Sequence, residues 1–196
     1  MARKRTVRIE WNSPAILGFA LICLAAMGIN HFTGGWANRR LFSVYRASLR
    51  DPLTYIRMVA HVFGHSGWEH LLSNMMYILL LGPLLEEKYG PTDLVIVMFI
   101  TALLTGLVEF IFFPGTALLG ASGIVFAMIL LASITSTQKD TIPVTFLLVA
   151  VLYIGQQVWQ AVTVRENISY MAHILGGATG AVLGFALKSV KRSKRA

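Results

Sequence analysis

Six apolar stretches follow one another through this chain: approximately Ala15–Phe32, Trp68–Leu85, Leu94–Phe113, Ala117–Ser136, Ile142–Val162 and Met171–Leu187. Crossing the hydrocarbon core takes about 20 residues as a helix, with a range of about 17–25. The runs are too long and unbroken for barrel strands, and lipid tolerates no unpaired backbone, so each is expected to be a helix. From the second stretch onward the links are short: EEKYGPTD, PGT, TQKDT and TVRENISY. The one long link is residues 33–67. The expected class is therefore an all-α membrane protein with six transmembrane helices.

Composition agrees. Charged residues make up 13% of the chain and hydrophobic ones 56%, against roughly a quarter charged in globular chains. Too little polar surface exists to cover such a chain in water, so the lipid bilayer is its expected partner. The net charge of +8 does not point to nucleic acid, because the cations cluster at the two ends and in one loop, as anchors at phosphate headgroups do. With six spans both termini share one side. That side holds eleven Lys and Arg residues and the other holds six, Arg39, Arg40, Arg46, Arg50, Arg57 and Arg165. The positive-inside rule then puts both termini in the cytoplasm. The expected organisation is a basic cytoplasmic N-terminus over 1–14, a membrane domain over 15–187 with its external loop at 33–67, and a basic tail over 188–196. The first apolar run ends without a small-residue cleavage site and is expected to be a retained span. Cys23 is the only cysteine, which excludes an intrachain disulfide and a cysteine-built metal cluster. In the long link, WANRRLFSVYRASLRDPLTYIR mixes aromatics with arginines at roughly helical spacing, the composition of a helix lying among headgroups.

Ionisable and polar groups in a membrane are costly, so each is a functional candidate. His70, Asn74, Ser122 and His173 stand out. The expected topology runs spans two, four and six from outside to inside. At 1.5 Å per residue all four side chains then lie roughly 5–10 Å below the outer surface. A serine hydroxyl becomes a nucleophile when an imidazole accepts its proton. A buried imidazole such as His173 is expected to be neutral and free to act as that base. Attack on a carbonyl creates an oxyanion, for which the Asn74 amide, the His70 ring N–H and the Ser122 backbone N–H are candidate donors. His70 and Asn74, four apart, share a helix face. Gly120 and Gly123 leave the hydroxyl uncovered. Gly176, Gly180 and Gly184 form a stripe that permits close helix contact.

Each feature has a plainer reading too. A membrane serine often bonds back to a carbonyl one turn earlier, and a glycine stripe is often packing alone. His61 and His65, at i and i+4, have a metal-ligand spacing, and histidine pairs hold haem in helical membrane proteins. Glu109, Gln156 and Gln157 are further polar groups in spans, suited to a transport path or to bonds between helices.

Three motifs in order resemble the rhomboid family of intramembrane serine proteases: Gly120-Ala121-Ser122-Gly123, His70 with Asn74 four residues on, and Ala172-His173 followed by Gly176 and Gly180. Arg57, His61 and His65 before the second span are also similar to that family. The resemblance covers nearly the whole chain and implies a rhomboid-like six-helix bundle. It implies a dyad of Ser122 as nucleophile and His173 as general base, with an oxyanion site from His70, Asn74 and Ser122. Gly120, Gly123, Phe126, Gly176 and Gly180 would support them, with no metal or other cofactor. The implied substrates are transmembrane proteins cut near the outer surface, with the fifth span and the loop after Phe113 as gate and cap. Two positions differ from many members. Phe126 replaces a tyrosine stacked on the histidine, implying a more loosely oriented His173. Ile56 replaces a tryptophan before Arg57, implying a less firmly anchored loop. The other readings are a catalytically silent relative that binds membrane proteins, and a haem-binding or transport protein. The short termini suit a bacterial inner membrane.

Overall fold

The computed structural model describes residues 10–135, 142–163 and 168–193. The basic residues 1–9, the link with Lys139, Arg165 and residues 194–196 lie outside them. The described chain is mostly helical: α1 (Pro14–Phe32), α2 (Trp36–Arg40), α3 (Pro52–Ala60), a 3-10 turn (His61–Phe63), α4 (Trp68–Tyr89), α5 (Pro91–Phe112), α6 (Ser122–Thr135), α7 (Val144–Thr163) and α8 (Ile168–Ser193). Two short strands, β1 (Val44–Tyr45) and β2 (Ala117–Leu118), pair antiparallel, with Val44 opposite Leu118 and Tyr45 opposite Ala117. Among the described residues three helical segments are long and apolar enough to cross a membrane: Pro14–Phe32, Pro91–Phe112 and Tyr170–Leu187.

Local chemistry sets the ends. Pro14 opens α1, where its missing N–H costs nothing. The Glu86 carboxylate, reaching from α4, accepts the N–H groups of Ala15 and Ile16 at 3.1 and 3.0 Å. It thereby satisfies two of the amides that a helix start leaves open and sits at the positive end of the dipole. Between α4 and α5 the expected eight-residue link shrinks to Gly90. That glycine adopts φ +87°, a conformation other residues resist, and Pro91 restarts the helix at its first position.

The fourth apolar stretch differs most from expectation. Residues 117–121 are not helical: Ala117 and Leu118 are strand, Gly120 sits at φ +126°, and α6 starts at Ser122 itself. Its 14 described residues rise about 21 Å, short of a hydrocarbon core of about 30 Å. Continuous hydropathy concealed this break, because pairing with β1 takes the backbone of Ala117 and Leu118 out of the helix.

The 33–67 link is not one interfacial helix but two short helices, a strand and a 3-10 turn. Arg57 holds it together. Its side chain is 1% exposed and donates to Asp51 Oδ2 and Thr54 Oγ1 at 3.0 Å each and to the Arg40 carbonyl at 3.2 Å. Its guanidinium also lies 4.7 Å from the centre of the Tyr45 ring. The loop is thus anchored through Arg57 although Ile56 precedes it. Asp51 further caps α3 by accepting from Leu53 N–H at 3.0 Å.

Helices α6 and α8 pack backbone to backbone. A β-carbon at Gly176 would fall on the Gly123 carbonyl, and one at Gly180 on the Ala127 carbonyl. Gly184 faces Leu131, so the stripe read from sequence does face one partner. We expect Gly180→Ala to force the two helices apart at a cost of about 1–3 kcal/mol, read as a lower melting temperature in detergent. A variant as stable as the wild type would refute the close approach.

Candidate active site

Ser122 is held from two directions. Before it, the β1–β2 pair and a hydrogen bond from Gly120 N–H to the His61 carbonyl, 2.9 Å, tie residues 117–120 to the external loop. After it, Gly123 lies against α8, where a β-carbon would sit 3.4 Å from the Ala172 carbonyl. Ser122 and His173 therefore occupy one level on facing helices, each next to a backbone contact point. As the first residue of α6, Ser122 belongs to a helix start whose early amides have no intrahelical acceptor.

His70 and Asn74 meet this start from α4. A β-carbon at Gly120 would lie 2.8 Å from His70 Nε2 and 3.9 Å from Asn74 Nδ2, so both side chains point at the residue two before Ser122. Only a glycine leaves them room. His70 Nδ1 is 3.1 Å from Ser66 Oγ and accepts from Ser66 N–H at 3.5 Å. Because a backbone N–H can only donate, the network assigns the proton to Nε2, the nitrogen facing Gly120. Asn74 is 6% exposed, and its Nδ2 has no hydrogen-bond partner among the described residues. Buried donors are normally satisfied.

On α8, the His173 ring packs on Phe126, centroids 4.4 Å apart. Gly176 and Gly180 are the contact points with α6 described above. Residues 70 and 74 of α4, Gly120 of the link before α6, 122, 123 and 126 of α6 and 173 of α8 thus lie in one region of the structure. The sequence reading missed two neighbours, Ser66 and Tyr153, and named His65 only for its spacing from His61 and its place in the resemblance. Ser66 orients His70, and its position one helical turn before that residue was a usable signal. His65 places its ring 5.1 Å from that of His70. Tyr153 of α7 lies 4.0 Å from Phe126, and an apolar helix gives no indication of which face turns inward.

The other polar groups have plain roles. Glu109 accepts from Thr116 Oγ1 at 2.8 Å. Gln156 is exposed rather than buried, and the Gln157 side chain lies outside the described residues. His61 Nε2 donates to the Ala102 carbonyl at 3.1 Å and His65 Nδ1 to the Phe63 carbonyl at 3.2 Å. Among the described residues no group of three or more His, Cys, Asp or Glu has a metal-holding arrangement.

This defines a multi-pass helical membrane protein in which an imidazole and a carboxamide of α4 meet the residue two before a serine, and a second imidazole lies on the facing helix α8. A family model described as the Rhomboid domain matches residues 52–190, most of the chain and all of the residues just described. The chain belongs to the rhomboid family. It is 26% identical to mouse Rhomboid-related protein 2 over 90% of its own length and 65% of that protein's. It is 24% identical to Rhomboid-like protein 11, chloroplastic, of Arabidopsis thaliana, over 68% of this chain and 52% of that one. Against Rhomboid protease GlpG of Klebsiella pneumoniae the figures are 30% identity, 59% of this chain and 41% of that protein. The chain thus spans between about half and two thirds of the length of the first two relatives.

Burial holds both loop histidines down, His61 to about 4 and His65 to about 4, the latter helped by the neighbouring His70. The Asp51 carboxyl is held below its usual range, chiefly by the hydrogen bond from Arg57. An unfolded histidine takes up its proton near pH 6.5, so between about 6.5 and 4 the unfolded chain binds protons that the folded one refuses. Stability is then full above about pH 7 and falls on acidification, and Asp51 adds loss in the same direction at lower pH. We expect the melting temperature in detergent to be flat from pH 8 to 7 and lower at pH 5. An unchanged value at pH 5 would contradict neutral burial of these rings.

Proposed function

We propose that this chain is an intramembrane serine endopeptidase that cuts transmembrane protein substrates near the outer membrane surface. The observation that carries the reading is the convergence of the His70 Nε2–H and the unpartnered Asn74 Nδ2 on Gly120, beside the start of α6. A half-buried ring N–H beside a buried, unpartnered amide suits an anion that forms only during reaction. The family membership and the printed name of the Klebsiella relative support the same activity.

In this mechanism Ser122 Oγ attacks the scissile carbonyl while the His173 imidazole takes its proton. The carbonyl oxygen becomes an oxyanion and accepts hydrogen bonds from His70, Asn74 and the Ser122 N–H. The C–N bond then breaks, His173 returns the proton to the leaving amine, and the acyl group stays on Ser122. Water, deprotonated by His173, attacks the ester, and Ser122 leaves with the proton. No third acid takes part, and Phe126 packs on the imidazole that must stay aligned. Gly120 and Gly123 leave the hydroxyl open to the substrate backbone, and Gly176 and Gly180 set the approach of α8.

The proposed membrane arrangement is a six-helix bundle of α1 and α4–α8. Both termini are cytoplasmic, and the membrane is a bacterial inner membrane. The start of α6 at Ser122 is then compatible with a site sunk below the outer surface, since the 113–121 link carries the chain down to Ser122.

A fluorophosphonate probe is expected to label the purified protein, and Ser122→Ala to abolish labelling. Equal labelling of both would remove Ser122 as nucleophile. His173→Ala is expected to lower cleavage of a transmembrane substrate by orders of magnitude with an unchanged melting temperature. Asn74→Ala should lower turnover by about 100–1000-fold, the range for loss of one oxyanion donor. A turnover within twofold of the wild type would take Asn74 out of the oxyanion site.

A further inference from the structure

Three rings stand in a column across three helices. Tyr153 of α7 lies on Phe126 of α6 with centroids 4.0 Å apart and planes 35° apart. Phe126 lies on His173 of α8 at 4.4 Å and 49°. Both pairs are in direct contact, slightly closer than the centroid separation of about 4.5–7 Å usual for aromatic pairs. Tyr153 also borders α8 one turn beyond the histidine, where a β-carbon at Gly177 would be 3.7 Å from its Cε1.

The described side chains of α7 are mostly exposed: Val151 and Leu152 are 69% and 72% exposed, and Tyr153 is the only buried side chain among those described on α7. One further ring contact, Phe146 with Phe185 at 5.7 Å, joins α7 to α8. Phe126 has no hydroxyl with which to fix its own plane, so its orientation depends on what packs on its far face. That neighbour is Tyr153.

We propose that Tyr153 is a positioning residue for the reaction: it clamps Phe126 onto His173 and so makes the alignment of the imidazole depend on where α7 sits. The inference rests on the reading of His173 as general base. Proton transfer needs the ring nitrogen in line with the serine hydroxyl, and a misaligned ring slows chemistry without weakening substrate binding. The clamp uses the ring alone. The Tyr153 hydroxyl has no hydrogen-bond partner among the described residues, so Tyr153→Phe leaves the clamp intact.

The test compares wild type, Tyr153→Phe and Tyr153→Leu by fluorophosphonate labelling rate and by kcat and KM on a model transmembrane substrate. Rates are taken per folded molecule, well below each melting temperature. Tyr153→Leu is expected to lower labelling rate and kcat by about 10-fold, the rate equivalent of one aromatic contact, with KM within about twofold. Tyr153→Phe is expected to match the wild type, because the clamp uses the ring and not the hydroxyl. Should the leucine variant not fold, Tyr153→Met fills the space with a more adaptable chain. If wild type labels and the ringless variant labels equally fast, the clamp is refuted and the dyad stands. A rise in KM with unchanged kcat would also refute it, by making Tyr153 a substrate contact. If wild type itself does not label, the reading of the dyad fails, and the clamp with it.

Discussion

The contact of α8 with α6 is made by backbone: side chains at Gly176 and Gly180 would fall on the carbonyls of Gly123 and Ala127. Lipid gives helices little hydrophobic reason to associate, so close van der Waals contact must supply the attraction. The same contact fixes distance and level. Gly176 is three residues past His173, and Gly123 is the residue after Ser122. Any side chain at either point would push the proposed base away from the proposed nucleophile by a matching amount. The site is therefore a consequence of how the two helices touch.

The external loop fixes the other side of Ser122. The buried Arg57 fastens α3 to Asp51, Thr54 and the Arg40 carbonyl. From that frame β1 pairs with β2, and the His61 carbonyl receives the Gly120 N–H. These bonds hold residues 117–120 out of helix and define where α6 starts. A helix beginning five residues earlier would have put Ser122 in its second turn, with its amide bonded to a carbonyl behind it. The strand pair is thus what leaves the Ser122 amide free of an intrahelical acceptor.

Polar groups here are unevenly satisfied, and the pattern has a physical meaning. Glu86 and Glu109 find partners, and Arg57 does so through both terminal guanidinium nitrogens. Asn74 Nδ2 does not, and neither do Asn38 Oδ1, Arg57 Nε, His61 Nδ1, His65 Nε2 and the Tyr153 hydroxyl among the described residues. Each such open group is a local loss of stability, and of these the Asn74 amide faces Gly120, two residues before Ser122.

The apolar runs, the short links and the spacing of His70, Asn74, Ser122 and His173 were legible in sequence, because the cost of burying polarity in lipid leaves few choices. The glycine stripe was legible for the same reason, since a close helix contact admits no larger residue. The start of α6 was not legible, because LLGAS is apolar whether it is strand or helix and the partner that decides lies some seventy residues earlier. Nor was Tyr153: an apolar helix has no polar face to show its orientation, so only packing against Phe126 could turn that ring inward. What sequence alone determined is which polar residue types lie within the apolar segments and on which of those segments. Which neighbours orient them is decided by contacts between segments far apart in the chain, and such contacts leave no local trace in the order of amino acids.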